Sequence, residues 1–333
     1  MSDKAPTVIS SFAGCGGSSL GYQMAGFREL LAIEWDDNAI ATFRLNFPKV
    51  PVYHGDIAKL SVDECCKLAG IKADELDVFD GSPPCQGFSI AGKRNFGDDR
   101  NQLFREYSRL LRGLQPRIFV MENVSGIVKG KMKLIAAEVF HELEDCGYRV
   151  KAQLMNAMYF SVPQSRERMI FIGVRKDLNR VPSYPRLQKV ISCRMAIGDL
   201  EQSAPEEHVK HLPHIYQQWL TGYNPRSGKA GLRVVRPGAY VGSFNSCRLE
   251  ADRPAATIVK SHNHWHYSRF RQLTSKELSR LASFPDSFKW RSDFVARIGN
   301  SVPPLFMKAI ALHIRSALLV SATGRTAERL EGS

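Results

Sequence analysis

Apolar positions in the first half of the chain follow two spacings, and the two spacings alternate along the sequence. Short apolar or β-branched runs indicate buried strands, whereas apolar residues that recur every three or four positions indicate amphipathic helices. The runs predict strands at residues 7–12, 30–35, 52–57, 78–81, 118–122, 152–155 and 169–174. Strands that alternate with helices predict an α/β fold with a doubly wound, mostly parallel sheet.

The predicted helices occupy the segments between these strands. Ser18 and Ser19 are predicted to cap the first helix, which runs towards Met24, and Asp36 is predicted to cap the second. Further helical spacing covers residues 102–114, 134–143, 273–284 and 303–319.

The alternation ends near residue 182, where the chain becomes rich in Pro, Gly, His and Arg. This change in composition is the best candidate for a domain boundary. We therefore expect a catalytic and cofactor-binding domain at 1–182, a smaller recognition domain at 183–292, and a C-terminal segment at 293–333 that returns to the first domain.

Composition narrows the class of protein. Apolar residues make up 44% of the 333 residues, and no apolar run reaches membrane-spanning length or has the form of a signal peptide. Seven cysteines without a C-x-x-C pair argue against a disulfide framework and favour the reducing cytoplasm. The 46 Lys and Arg exceed the 33 Asp and Glu by 13, which favours a polyanionic partner, nucleic acid before membrane.

Cys85 follows an apolar strand that stops abruptly at Gly81, Pro83 and Pro84. Open α/β sheets keep their ligand crevice at the carboxyl ends of the strands, so a cysteine here is a candidate nucleophile. The alternative is a small buried hydrophobic residue, which is the commonest role of a free cysteine.

Other polar or glycine-rich groups follow neighbouring strands. The turn at residues 12–17 allows a ligand to approach the backbone, and Glu34 and Asp56 could bind a ribose and an adenine amino group. The spacing is not that of a dinucleotide site, so adenosine without a pyrophosphate fits better, and a purely structural tight turn is the alternative. Glu122 could act as an acid or cap a helix, and Arg166 and Arg168 could hold an oxygen or lie in solvent.

These stretches together resemble the DNA (cytosine-5)-methyltransferases, in the motif order of that family and through nearly the whole chain. The stretches that carry the resemblance are Phe12–Gly17, Glu34-Trp35, Gly55–Ile57, Gly81–Ser89, Glu122–Val124, Gln164–Arg168, Arg253–Ile258, Arg271–Asp286 and Gly299–Pro303. The resemblance implies a Rossmann-like methyltransferase domain that uses S-adenosyl-L-methionine, with double-stranded DNA as substrate.

The resemblance also implies catalytic roles. Cys85 would attack carbon 6 of a flipped-out cytosine, so that carbon 5 can accept a methyl group. Glu122 would donate a proton or hydrogen bond to ring nitrogen 3. Arg168 would hold the cytosine carbonyl oxygen, and Arg166 a phosphate or Glu122.

A second set of residues is implied for the cofactor. Phe12 would stack near adenine, Glu34 would bind ribose, and the remaining positions would surround the ligand. The set is Phe12, Gly14, Gly16, Glu34, Trp35, Asp56, Ile57, Pro84, Leu103, Asn300 and Val302.

DNA contacts are expected from two segments. Residues 86–100 resemble a mobile loop that closes over flipped DNA, and residues 185–250 occupy the position of the family's target-recognition region. The residues concerned are Gln86, Ser89, Lys93, Arg94, Arg100, Arg226, Arg233, Arg236 and Arg248. Ala91 departs from members that place a hydroxyl there to enter the gap left by the base.

Two other functions stay open on the sequence. A transfer RNA methyltransferase subfamily shares these motifs, and a non-catalytic DNA-binding module could retain the fold. Three histidines at 208, 211 and 214, or at 262, 264 and 266, could bind a metal, but no acidic or cysteine ligand accompanies them, so we expect none. We expect a bacterial, cytoplasmic and nucleoid-associated monomer, with a separate cognate restriction endonuclease as a possible partner.

Overall fold

The computed structural model describes residues 5–84, 99–128, 132–202, 246–260, 263–269 and 271–319. A seven-stranded sheet organises this part of the chain, with strand order β3-β2-β1-β4-β5-β7-β6. The strands are β1 Thr7–Ser11, β2 Arg28–Glu34, β3 Val52–His54, β4 Val78–Gly81, β5 Ile118–Val124, β6 Tyr148–Asn156 and β7 Glu167–Arg175. Strands β1 to β5 pair in parallel, and β7 is antiparallel to both β5 and β6. The predicted α/β fold with a mostly parallel sheet is confirmed.

Helices connect and follow the strands. They are α1 Gly17–Met24, α2 Asp37–Asn46, α3 Val62–Ala69, α4 Asp99–Leu114, α5 Met132–Asp145, α6 Cys193–Ile197, α7 Ser275–Leu281, α8 Phe294–Asn300 and α9 Pro304–His313. Two further short strands, β8 Ser246–Arg248 and β9 Asn263–Trp265, pair in parallel apart from the main sheet.

The two helix-cap predictions have different outcomes. Asp36 caps α2 as predicted, because its Oδ1 accepts a hydrogen bond from Ala39 N at 2.9 Å. The prediction for Ser18 and Ser19 is wrong. Helix α1 already begins at Gly17, and its N-cap is Gly16 at φ 95°, a left-handed conformation that suits glycine.

Each face of the sheet buries its own set of apolar side chains. On one face, Tyr107, Leu110 and Leu111 of α4 pack against Phe79 and Phe119. On the other face, α1 and α9 cover a second cluster, which includes Tyr22, Phe306, Met307, Ile310, Val78, Ile118 and Ile172. Because both faces are covered, the inner strands are apolar on both sides, which is why they read as continuous apolar runs.

A third cluster joins segments that lie far apart in the sequence. Phe43 of α2, and Phe47 directly after this helix, pack with Leu249, Ile258 and Leu281. This cluster crosses the boundary that we predict at residue 182, while α9 packs directly on α1. The division into three segments therefore stays a prediction. Within the described residues, no helix has the length and apolar character needed to cross a membrane.

Candidate active site

The candidate site lies at the carboxyl ends of β1, β2, β4 and β5. Strands β1 and β4 are neighbours in the sheet, and the chain winds outward from them in both directions. Such a reversal of strand order opens a crevice at the carboxyl edge, where α/β proteins bind ligands. The predicted site residues that the structure describes are distributed around this edge.

A pocket at this edge is formed by the glycine turn and the C-terminal segment. Its lining residues are Phe12, Ala13, Gly14, Cys15, Gly17, Ser18, Ser82, Arg297, Asn300, Ser301 and Val302. Gly14 lies at φ 57°, and a Cβ placed on it would meet no atom within 4 Å. Phe12 also has positive φ, at 54°, which is uncommon for a non-glycine residue and typical of functional sites.

Glu34 fixes the shape of the turn. Its Oε2 accepts a hydrogen bond from Gly14 N at 2.8 Å, and its Oε1 accepts from Trp35 N and Asp36 N at 2.8 and 3.0 Å. Three backbone donors therefore hold the carboxylate at the carboxyl end of β2, beside the pocket.

The other predicted cofactor residues are more dispersed. Trp35 is 76% exposed, and this large aromatic face next to Glu34 is suited to stacking. Asp56 caps a short 3₁₀ turn through Ala58 N, and Ile57 in that turn is buried. Pro84 is exposed, and Leu103 packs at the margin of the first core cluster.

The strand that leads to the predicted nucleophile is held by its neighbour. Asn123 Nδ2 donates to Pro83 O at 3.1 Å, and Asn123 is buried. A Cβ on Gly81 would lie 2.4 Å from Ser11 Oγ and 2.6 Å from the Tyr107 ring, so only glycine fits at this position. Cys85 itself lies outside the described residues.

An ion pair joins β5 to β7 beside this segment. Glu122 Oε1 lies 2.6 Å from Arg168 Nε, and the two side chains are 11% and 14% exposed. Register explains the contact: Glu122 pairs with Ile170, and Arg168 pairs with Val124, so the two side chains are diagonal neighbours on one face.

Arg166 occupies a different environment from Arg168. Its side chain is 2% exposed, and its guanidinium donates to Ile258 O at 3.0 Å and to Gly299 O at 2.7 Å. Burial lowers the pKa of Arg166 to about 9, and the charge of Arg168 acts in the same direction. Arg166 thus connects the start of β7 to two segments from the C-terminal third of the chain.

Most predicted DNA contacts lie outside the described residues. These are Gln86, Ser89, Lys93, Arg94, Arg226, Arg233 and Arg236, together with the side chain of Arg100, whose backbone lies in the first turn of α4. Arg248 is described, and its Nη2 donates to Tyr267 O at 2.6 Å from a partly buried position.

The structure brings residues to the site that the sequence pattern did not single out. Ser18, Ser82 and Arg297 line the pocket, and Asn123 holds the end of β4. Asn123 and Ser82 adjoin predicted residues, so position alone could have suggested them. Arg297 had no such signal, because Asp36 and the glycine turn, which it meets in space, lie far from it in the sequence.

Four described cysteines, one of them in the pocket lining, do not resemble nucleophiles. Burial raises the pKa of the Cys15, Cys65, Cys66 and Cys146 thiols, to about 11 for Cys15. A raised pKa disfavours the thiolate, which is the reactive form. No group of three His, Cys, Asp or Glu side chains that could hold a metal occurs among the described residues.

Comparisons with known proteins agree with this geometry. The family model for C-5 cytosine-specific DNA methylases matches residues 7–316. The Type II methyltransferase M1.HphI of Haemophilus parahaemolyticus is 36% identical over 322 residues, covering 92% of this chain and 85% of that protein. The Type II methyltransferase M.XorII of Xanthomonas oryzae pv. oryzae is 33% identical and covers 94% of this chain and 85% of its own length.

A solved structure extends the similarity to three dimensions. It is a provisionally assigned DNA modification methyltransferase encoded within an E. coli prophage, 27% identical, with a TM-score of 0.74. The superposition covers 93% of this chain and 99% of that one. Since the family model, the relatives and the solved structure all agree over more than nine-tenths of the chain, this protein belongs to the C-5 cytosine-specific DNA methylases.

Proposed function

We propose that this enzyme transfers a methyl group from S-adenosyl-L-methionine to carbon 5 of a cytosine flipped out of a specific duplex DNA site, through a covalent adduct with Cys85. The observation that carries the proposal is the position of the Glu122–Arg168 pair. The pair lies beside residues 82–84, which lead directly to Cys85, and Ser82 also lines the glycine-turn pocket. A base and a methyl donor would therefore meet at one edge of the sheet.

The residues of the pocket fit S-adenosylmethionine. Glu34 is oriented by three backbone amides and retains lone pairs for the ribose hydroxyls. The exposed ring of Trp35 and the ring of Phe12 would contact adenine, while Asn300 and Val302 would bound the pocket on the opposite side. When bound, S-adenosylmethionine supplies an electrophilic methyl group on its sulfonium sulfur.

Residues at the edge of the sheet would act on the base. The Cys85 thiolate would add to carbon 6 while Glu122 donates a proton to ring nitrogen 3, and Arg168 would hold the carbonyl oxygen. Carbon 5 would then be enamine-like and would attack the methyl carbon, whose bond to the sulfonium sulfur breaks so that S-adenosylhomocysteine leaves. Loss of the carbon 5 proton to a base, expulsion of the Cys85 thiolate and return of the ring nitrogen 3 proton to Glu122 would restore the aromatic ring.

Arg166 has a positioning role in this proposal. Its buried guanidinium donates hydrogen bonds to two backbone carbonyls, Ile258 O and Gly299 O. These hydrogen bonds would fix the start of β7. Because Arg168 lies two residues further along, Arg166 would determine where Arg168 presents its charge to Glu122 and to the base.

A DNA substrate is supported by charge as well as by family. The net charge of +13 provides the phosphate attraction that nucleic-acid binding needs. Swinging a cytosine out of the duplex costs a few kcal/mol, which the phosphate contacts and the closed pocket would offset. A cognate restriction endonuclease that acts separately is a part of the same proposal.

Methyl transfer with a radiolabelled donor tests the proposal. The full chain is incubated with tritiated S-adenosylmethionine and either unmethylated duplex DNA of genomic complexity or transfer RNA. We expect label in DNA, absent in Cys85→Ala and retained in Cys66→Ala, a matched change at a cysteine of α3. A duplex that contains 5-fluorocytosine should trap the Cys85 adduct, because fluorine cannot leave as a proton does.

Each alternative has its own result. Label in transfer RNA alone would contradict the DNA substrate, and transfer by Cys85→Ala would contradict the covalent step. DNA binding without label in either nucleic acid would support a non-catalytic module. Mapping of the methylated cytosines would then identify the recognised sequence.

A further inference from the structure

Arg297 is the one charged residue among the described side chains that line the glycine-turn pocket. It lies in α8, close to the end that leads into Asn300, Ser301 and Val302, which line the same pocket. The side chain is 14% exposed, so this cation is largely removed from solvent. A largely buried cation in a ligand pocket is costly unless something anionic meets it.

One partner of Arg297 is already present. Arg297 Nη1 lies 2.9 Å from Asp36 Oδ1, the same oxygen that caps α2 through Ala39 N. A guanidinium has five N–H donors in a fixed fork, so this contact orients the group and occupies only part of it. Nε is buried and has no hydrogen-bond partner among the described residues.

The backbone of Arg297 is also fixed in place. Its carbonyl oxygen accepts a hydrogen bond from Ser301 Oγ at 2.6 Å and lies 3.9 Å from Cys15 Sγ. These contacts hold α8 against the glycine turn. The guanidinium is therefore held from both ends, by its backbone and by Asp36.

A second electropositive feature lines the same pocket. Gly17 and Ser18 open helix α1, whose N-cap Gly16 makes no side-chain cap and whose first turn contains no acidic residue. The first amides of a helix lack intrahelical acceptors and carry partial positive charge. This end of the pocket thus combines a cation with uncapped amide donors.

These features match one group of the proposed methyl donor. The adenosine of S-adenosylmethionine is neutral, its sulfonium and ammonium groups are cationic, and its carboxylate is the single anion. We propose that Arg297 binds this α-carboxylate together with the first amides of α1, and that Asp36 holds the guanidinium in position. This assignment rests on the proposed function and makes Arg297 a determinant of cofactor specificity.

Calorimetric binding of two ligands tests the assignment. S-adenosylhomocysteine carries the carboxylate, and S-adenosyl-3-thiopropylamine has the same thioether and ammonium groups without it. Because a hydrogen bond to a charged group is worth about 1.5–3 kcal/mol, the wild-type protein should bind the first ligand about tenfold or more tightly than the second. Arg297→Gln should weaken S-adenosylhomocysteine by about tenfold and the decarboxylated ligand by less than about twofold.

Two variants control for charge and folding. Arg297→Lys keeps the charge and should retain part of the preference for S-adenosylhomocysteine. Arg44→Gln removes a positive charge from the exposed side of α2 and should alter the affinity for neither ligand. Equal weakening of both ligands by Arg297→Gln would overturn the assignment in favour of a role in pocket shape.

The wild-type protein provides a result that does not depend on any variant folding. Equal affinities of the wild type for the two ligands would overturn the assignment directly. A wild type that binds S-adenosylhomocysteine with the expected preference but methylates no DNA would contradict the proposed function and leave the carboxylate contact supported.

Discussion

Arg168 Nε lies 2.6 Å from Glu122 Oε1, with both side chains less than one-seventh exposed. The pair spans two antiparallel strands, so each residue is placed by a ladder of backbone hydrogen bonds rather than by a loop. Groups placed in this way are preorganised, which is what a site that stabilises developing charge requires. Removal of either partner leaves the other partly desolvated and unpaired.

Glu122→Gln should show whether Glu122 acts by donating a proton or only by filling its place in the site. The amide keeps the size of the side chain but cannot supply the proton for ring nitrogen 3, so we expect single-turnover methyl transfer to fall by about 10²–10⁴-fold. Affinity for S-adenosylhomocysteine should change little, because the pocket is lined by other residues. Quench-flow measurement with tritiated donor and excess enzyme would give the rate.

Glu167→Gln is the matched control for this change, since Glu167 is exposed on the adjacent strand. It should transfer methyl groups at nearly the wild-type rate. A loss of less than about tenfold in Glu122→Gln would contradict acid catalysis by this residue.

Asn123→Ala should impair the presentation of Cys85 without affecting the cofactor. The substitution removes the donor that holds Pro83 O and leaves a buried carbonyl without that hydrogen bond, at a cost of about 1–3 kcal/mol in stability. We expect slower trapping of 5-fluorocytosine DNA, since Cys85 follows Pro83 by two residues. Denaturing gels would measure adduct formation, and an unchanged trapping rate would show that this hydrogen bond does not position the nucleophile.

Regular elements were predictable because their signals are local. The strand at 78–81 agrees with β4, and the runs at 118–122 and 169–174 fall inside β5 and β7. Asp36 was predictable as a cap because its side chain bonds to a residue three positions away. The strand predicted at 52–57 is too long at its C-terminal end, because β3 ends at His54 and Asp56 caps a 3₁₀ turn instead.

The parts of the site that sequence could not provide depend on contacts between distant segments. Arg297 reaches Asp36 across 261 positions, and the guanidinium of Arg166 meets Gly299 O across 133. Neither pair has a spacing that a local pattern could reveal. Helix α8, which carries Arg297, was itself not predicted.

Asp80→Asn should change how stability depends on pH. Asp80 is buried beside Tyr22, whose hydroxyl donates to Oδ1 at 3.3 Å, and burial with the nearby Glu29 carboxylate raises the pKa of Asp80 to about 8. Between pH 4 and 8 the folded chain keeps a proton that the unfolded chain releases. The free energy of unfolding should therefore fall as pH rises, by up to about 1.4 kcal/mol per pH unit.

The asparagine variant cannot lose a proton, so its stability relative to wild type should increase from pH 5 to pH 8. Urea unfolding at pH 5, 6.5 and 8 would measure the difference. Asp63→Asn, at an exposed position of α3, is the control. Its difference from wild type in the free energy of unfolding should stay constant over the same pH values. A constant difference for Asp80→Asn as well would show that Asp80 does not hold this proton.

Gly17→Ala should destabilise the protein even though alanine favours helices by about 1 kcal/mol over glycine. A Cβ on Gly17 would lie 2.3 Å from Val302 O, and backbone cannot move aside as a flexible side chain does. Overpacking of this kind costs about 1–3 kcal/mol, so the contact should outweigh helix propensity. Chemical denaturation would measure the sign of the change in the free energy of unfolding.

The same displacement would move Asn300 and Val302 away from the pocket, so S-adenosylhomocysteine should bind more weakly. Gly126→Ala, where a Cβ would meet no atom within 4 Å, should change neither quantity. A stabilised Gly17→Ala with normal binding would mean that the C-terminal segment can withdraw from α1 without consequence for the cofactor pocket.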